Sequence, residues 1–465
     1  MFEYPLSDFD AVTASLGLPG DAEVWRSAWA ATQGSFELHE ERFLRPEQVE
    51  AGCRYLRLPA PAQSALLAGL PEFEKNRALK RLAWHCYALM FRNAEDGATK
   101  PPQWPPLAWH CYVLGLPNAE NGRAKPPRWP SLPKALGPAA HLFYAYVLIA
   151  GVPHIRALHA TRGISEAIAR DTLSDLELWM REYRKRNGVW GFDEMEWLEG
   201  HFEGRVYKLG RLQFEQQYHL VLDMHVFRHR TKQRIVALAG AGQRFREDGQ
   251  FDGANDIHDP THGWTAVFDR DEDTVRGNPI AVDGRALRQT ATLPLSEWEP
   301  VLRQGDPTLN VHIPAVGPLT YSECTASFQE ALAFFPKYFP EHVFKAFECY
   351  SWLLDYQLEA HLPAASNIVR FLRDYYLLPC PGADDEQTLD RVFDGKFDSI
   401  GNAAQDTSLQ RAIAGHMKKG GHWRIALGFI LREDVSRRPQ YYRKVTEGTP
   451  WGVSPGRRTH DESAP

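Results

Sequence analysis

The hydrophobic period changes once along this chain, and that change constrains the fold more than any single motif does. Before about Val206 the apolar residues recur at helical spacing. Leu176, Trp179, Met180 and Tyr183 fall at i, i+3, i+4 and i+7, behind a Ser174-Asp175-Leu176-Glu177 stretch with capping-box spacing and ahead of an Asn187-Gly188 stop. After Val206, short β-prone runs such as Arg205 to Phe214 alternate with Gly- and Asp-rich turns through about Gly305. The pattern implies an α+β protein: a mostly helical domain over 1–205, a mixed domain over 206–435, and a polar segment over 436–465 expected to be a disordered tail.

A chain of 465 residues has room for two or three domains with real cores. Fifty-three Lys and Arg stand against fifty-nine Asp and Glu, so the net charge of −6 supplies no global attraction to nucleic acid or to an anionic membrane. Met1 to Ser7 has no basic start leading into an apolar run, and the longest apolar run, Ala139 to Val152, is short for a bilayer and reads as a buried helix. A cytoplasmic location is expected. The six cysteines are scattered without a CxxC pair, so neither a disulfide framework nor a metal site is expected.

The fourteen tryptophans look at first like a ligand platform. Part of the surplus comes from a tandem duplication. Leu82–Pro106 and Leu107–Ser131 are identical at sixteen positions when shifted by twenty-five, with Trp84-His85-Cys86-Tyr87 repeated as Trp109-His110-Cys111-Tyr112. No third unit follows, which excludes a solenoid. Adjacent His and Cys residues on a helix point in different directions, so the repeated pair is no metal motif. Trp84, Trp109 and Trp179 have core spacing, Trp104 and Trp129 follow Pro-Pro turns, and Trp352 remains as a binding candidate.

The most informative stretch runs from Thr308 to Glu323. Leu309 to Ile313 alternates as a strand does, Thr320 and Glu323 have capping-box spacing, and Phe328, Ala331, Leu332 and Phe335 share a helical face. Strand, Gly-containing loop and helix leave backbone N–H groups and a positive dipole end available to a phosphate. A second strand, Ala346 to Leu354, follows, and Ser366 can cap a helix bearing Ile368, Phe371, Leu372 and Tyr375. Open sheets of this order bind ligands beyond the carboxyl ends of their strands.

The segments NVHIPAVGPLTYSEC, FECYSWLLDYQLEAHLP, SNIVRFL, YKLGRLQFE and GISEAIARDTLSDLELW together resemble bacterial acyltransferase proteins that join an N-acyltransferase N-terminal domain to a GNAT-like C-terminal domain, over roughly residues 30 to 432. The resemblance implies a central strand and a neighbour that splay apart around the pantetheine arm of an acyl-CoA or acetyl-CoA co-substrate, with a loop before the next helix around the pyrophosphate. Carried over, the central strand is Leu309 to Ile313, the loop is Ala315 to Leu319, and the splayed partner is Phe347 to Leu354. The cofactor-binding candidates are then Ile313, Ala315, Val316, Gly317, Leu319, Thr320, Ser351, Trp352 and Asn367. The usual loop of that fold is richer in glycine, and Pro318 has no N–H to donate, which keeps open a donor borne on a carrier protein.

Acyl transfer to an amine needs a base for the attacking nitrogen and an acid for the leaving thiolate. His312 on the central strand is the candidate base. Tyr375 and Tyr376, placed on the helix after the splayed strand, are the candidate acids, as the resemblance implies. Cys349, or Ser351, is the candidate for a covalent acyl intermediate. The function expected is transfer of an acyl group from acyl-CoA, or another pantetheine thioester, to an unknown amine by direct attack. The alternative is an inactive GNAT-like scaffold that binds a small ligand or a partner protein. A carbohydrate-active reading has no placed pair of carboxylates behind it.

Overall fold

The computed structural model describes residues 6–18, 26–91, 129, 132–133, 136–217, 222–393 and 399–452. The end of the first copy, with Trp104, and all of the second copy except Trp129, including Trp109, His110 and Cys111, lie outside them. The chain divides into two compact units, one ending at Leu209 and one beginning at Gly210.

The first unit is built around a 25-residue helix, Pro138–Arg162. Pro138 occupies its first turn, where a missing N–H costs nothing, and Gly163 at φ 72° ends it in the left-handed conformation. The apolar run read from the sequence is therefore the amino-terminal part of a longer helix, one long and apolar enough to cross a membrane by composition, yet 67% of its apolar window is buried. Phe143, Tyr146, Val147, Leu148 and Ile149 face helices Pro46–Leu56, Ala60–Lys75 and Arg77–Phe91. Gly52 lets Ile149 approach so closely that a Cβ there would sit 2.6 Å from its Cγ2. Trp84 and His85 of the first duplicated copy are core residues of the Arg77–Phe91 helix. His85 Nδ1 lies 2.8 Å from the Thr32 hydroxyl, and burial pushes its imidazole down to about 3. The helix Asp175–Asn187 buries Leu176, Met180 and Tyr183 and stops at Gly188, φ 75°. Its expected capping box does not form: Ser174 is itself helical and its hydroxyl donates to the Asp171 carbonyl.

Five strands of the second unit pair in a mixed sheet, labelled β1 (Leu212–Gln217), β2 (Thr308–His312), β3 (Ala346–Ser351), β4 (Tyr376–Leu378) and β5 (Ala426–Leu431). Their spatial order is β1-β2-β3-β5-β4. β2 and β3 run parallel, joined by the helix Tyr321–Tyr338, and the other neighbours are antiparallel. That helix covers one face of the sheet, where Phe328 meets Phe214 and Phe347 edge to face. Smaller antiparallel sheets follow from Met224 to Arg303.

The segment after Ser436 is not a disordered tail as far as Gly452. Tyr442 is fully buried, its hydroxyl accepting the Leu431 N–H and donating to Asp434. Trp451 donates its indole N–H to the Ile235 carbonyl at 2.9 Å and packs near Trp298. The polar average of the segment masked these two aromatic anchors; burying two large rings offsets the entropy of ordering the residues between them.

Candidate active site

Strand parity decides which residues can meet. Thr308, Asn310 and His312 of β2 are in register with Gln217, Glu215 and Gln213 of β1. Asn310 is also in register with Glu348 of β3. All seven side chains therefore share the sheet face opposite the Tyr321–Tyr338 helix. On the helix side stand Phe214, Leu309, Val311, Phe347 and Cys349, the apolar set of the same three strands.

The parallel ladder between β2 and β3 ends at Asn310 and Glu348. β2 continues with β1 to His312, and β3 continues with β5 to Ser351. Both inner strands thus keep their outer partners while parting from each other, which opens a wedge at their carboxyl ends. The expected splay is present, with the strands at 308–312 and 346–351; Trp352 to Leu354 form a 3-10 turn instead of more strand.

His312 sits at the open end of β2, its side chain 24% exposed. Its Nε2 lies 3.0 Å from Glu215 Oε2 and 3.3 Å from Asn310 Nδ2. With Nε2–H donated to Glu215, the basic lone pair lies on Nδ1, and Asn310 Nδ2, itself a donor, makes only a contact with Nε2. Glu215 and Asn310 were not visible as site residues from their own neighbourhoods. The signal was present in Leu212-Gln213-Phe214-Glu215, which alternates apolar and polar as a strand does before the run ends in Gln216-Gln217.

The loop after β2 carries Ile313 and Leu319, both half-buried, and Ala315, Val316 and Gly317, exposed. Gly317 takes φ 66°, and a Cβ there would meet nothing. The helix then starts at Tyr321 without a side-chain cap: Thr320 adopts the N-cap backbone, but its hydroxyl does not reach the N–H groups of the first turn. The expected Thr320–Glu323 capping box is absent, so the first-turn N–H groups of an 18-residue helix are left to another acceptor. Arg211 braces this loop from the start of β1, its Nε–H donating to the Pro318 carbonyl at 2.9 Å. The Arg370 guanidinium stacks 4.0 Å from the Tyr321 ring. Two cations therefore flank the uncapped helix start. By contrast, a groove of about 740 Å³ elsewhere in this unit is lined by Asp256, Asp384, Asp385, Glu386 and Asp390 with His422, a field that repels phosphates.

The remaining candidates fall elsewhere. Tyr375 and Tyr376 are not helical; they follow the helix Asn367–Leu372, and Tyr376 begins β4. Both are fully buried. The Tyr376 hydroxyl donates to the Ile280 carbonyl at 2.5 Å, which fixes it as a brace between sheets. Tyr375 lies against Cys349 on the helix-covered side. Burial pushes the Cys349 thiol up to about 12, so it is a core residue and a poor nucleophile. The Ser351 hydroxyl accepts the Leu353 N–H and caps the 3-10 turn. Trp352 is half-buried, with its backbone N–H on Gln387. Asn367 is exposed at the start of a helix capped by Ser366.

A mixed sheet whose parallel central pair parts at its carboxyl end, beside a loop and an uncapped helix start, defines the GNAT type of acyltransferase fold. Residues 206–430 match the GNAT-like C-terminal domain, and residues 47–204 match the N-acyltransferase N-terminal domain. The chain belongs to the proteins that join these two domains. Among solved structures, an acyltransferase in complex with decanoyl-CoA is 25% identical, with a TM-score of 0.58, over 91% of this chain and 99% of that one. An acyltransferase in complex with decanoyl-CoA and teicoplanin is 24% identical, with a TM-score of 0.58, over 91% of this chain and 98% of that one. No curated protein matches the chain by sequence.

Proposed function

We propose that this protein is an N-acyltransferase that passes an acyl group from acyl-CoA to an amine by direct attack. The parting of β2 and β3 after Asn310 and Glu348, with both outer ladders intact, is the observation that carries the reading. A pantetheine arm fits between two strands whose facing edges have left the ladder. The pyrophosphate is held by the loop Ala315 to Thr320 and the first-turn N–H groups of the Tyr321–Tyr338 helix, with Arg211 and Arg370 supplying charge. Pro318 takes one donor from this cradle, and the uncapped helix start offers others in its place.

His312 takes the proton from the attacking amine at Nδ1, and Glu215 orients the ring and stabilises the imidazolium that forms. Direct attack is favoured over a covalent intermediate because Cys349 and Ser351 are both committed to packing or capping. The neighbours in complex with decanoyl-CoA and with teicoplanin make these two compounds the first probes. The test is release of free thiol from decanoyl-CoA in the presence of a panel of primary amines that includes teicoplanin, with the acylated product identified by mass. Enzyme-dependent release with product formation is expected. No release with any amine, despite measurable decanoyl-CoA binding, would leave the inactive-scaffold reading standing.

A further inference from the structure

The reaction requires an acid for the leaving sulfur, and the two tyrosines expected to supply it are buried braces. Glu348 occupies β3 on the last rung before the strands part, on the same face as His312. It is 4% exposed. The Thr308 hydroxyl donates to its Oε2 at 2.9 Å, whereas Oε1 is buried and has no hydrogen-bond partner among the described residues. With Oε2 accepting, the proton of the neutral acid belongs on Oε1, a buried donor with nothing to donate to. Leaving such a group unpaired is destabilising in a folded protein and calls for an explanation. Across β3, its partner on β5 is Phe429, and on β2 it is Asn310, so no cation on the flanking strands neutralises it.

We infer that Glu348 is the proton donor of the transfer reaction: its Oε1–H bonds to the thioester end of the acyl donor lying between β2 and β3, and passes to the sulfur as that sulfur leaves. This inference rests on the acyl-CoA reading given above. The amine lone pair forms the new C–N bond, the tetrahedral adduct expels sulfur with the C–S electron pair, and that sulfur takes the Glu348 proton to become a thiol. His312 takes the proton lost by nitrogen. Solvent returns a proton from the imidazolium to the Glu348 carboxylate after the products leave, so no other reactant is consumed. Burial holds the Glu348 carboxyl well above the ordinary carboxylate range, so it keeps its proton where an exposed glutamate loses it. An acid of that kind gives up its proton to a strong base such as a thiolate, which is the match that general acid catalysis requires.

The experiment is an infrared difference spectrum of the full chain with and without decanoyl-CoA, with binding followed separately by calorimetry. The wild type should show the carbonyl stretch of a protonated carboxylic acid that shifts when decanoyl-CoA binds and is missing in Glu348→Gln. Thr308→Val, which removes the hydroxyl on Oε2, should move the same band and identifies it even if Glu348→Gln fails to fold. In thiol-release assays, Glu348→Gln should lower turnover of decanoyl-CoA about a hundredfold. With an aryl thioester, whose thiolate leaves without needing a proton, the loss should shrink to a few fold. Binding without any shift of the band, or an equal loss on both donors, overturns the role of Glu348 and leaves the acyl-CoA reading intact. Absence of decanoyl-CoA binding in the wild type overturns that reading itself.

Discussion

The two faces of the central sheet are made by the same three strands and do different work. On the face under the Tyr321–Tyr338 helix, Phe214, Phe328 and Phe347 form an edge-to-face cluster that excludes water. On the other face the same strands present Gln213, Glu215, Asn310, His312 and Glu348, all but His312 buried. Burying a row of polar groups costs free energy that apolar side chains at those positions would not. A core needs only one of these faces. On the reading proposed above the other serves the reaction, and alternation along each strand lets one backbone carry both.

The contrast can be broken at defined positions. The largest effect is expected on the apolar face, where Phe347→Ala leaves a cavity under the helix and should cost about 3–5 kcal/mol in denaturant unfolding. On the polar face, His312→Ala removes the partner of the buried Glu215 and should cost clearly less stability than Phe347→Ala, while lowering turnover about a hundredfold. A variant that loses as much stability as Phe347→Ala would make His312 a packing residue. Tyr376→Phe should have the smallest effect on turnover, less than twofold, while removing the bond to the Ile280 carbonyl and costing about 1 kcal/mol of stability. A large loss of turnover there would restore Tyr376 as an acid.

Much of this arrangement was legible in the sequence. The alternation over Leu309 to Ile313, the glycine loop and the helix with Phe328, Ala331 and Phe335 on one face gave the strand-loop-helix unit, because each element follows from local periodicity. His312 was legible as a polar residue at a strand end. Glu215 and Glu348 were not, because their relation to His312 is set by register between strands far apart in the chain, 97 residues in the case of Glu215. Cys349 failed as a nucleophile for the same reason: one residue along β3 from Glu348, it falls on the opposite face. Capping motifs misled twice, at Ser174 and Thr320, since spacing permits a cap without requiring the side chain to turn toward the helix. At Thr320 the absence of the cap is informative, because it leaves donors for an anion.

The central claim, that the donor's pyrophosphate sits at the loop before the Tyr321–Tyr338 helix, is tested most directly by calorimetric titration of decanoyl-CoA into Gly317→Asp and Gly317→Asn. Both residues tolerate the φ of 66°, and a Cβ at 317 meets no atom of the described residues, so the pair differs chiefly in charge. The account predicts that Gly317→Asn retains most of the wild-type affinity and that Gly317→Asp loses at least tenfold, about 1.4 kcal/mol. Equal affinity in the two variants would contradict it.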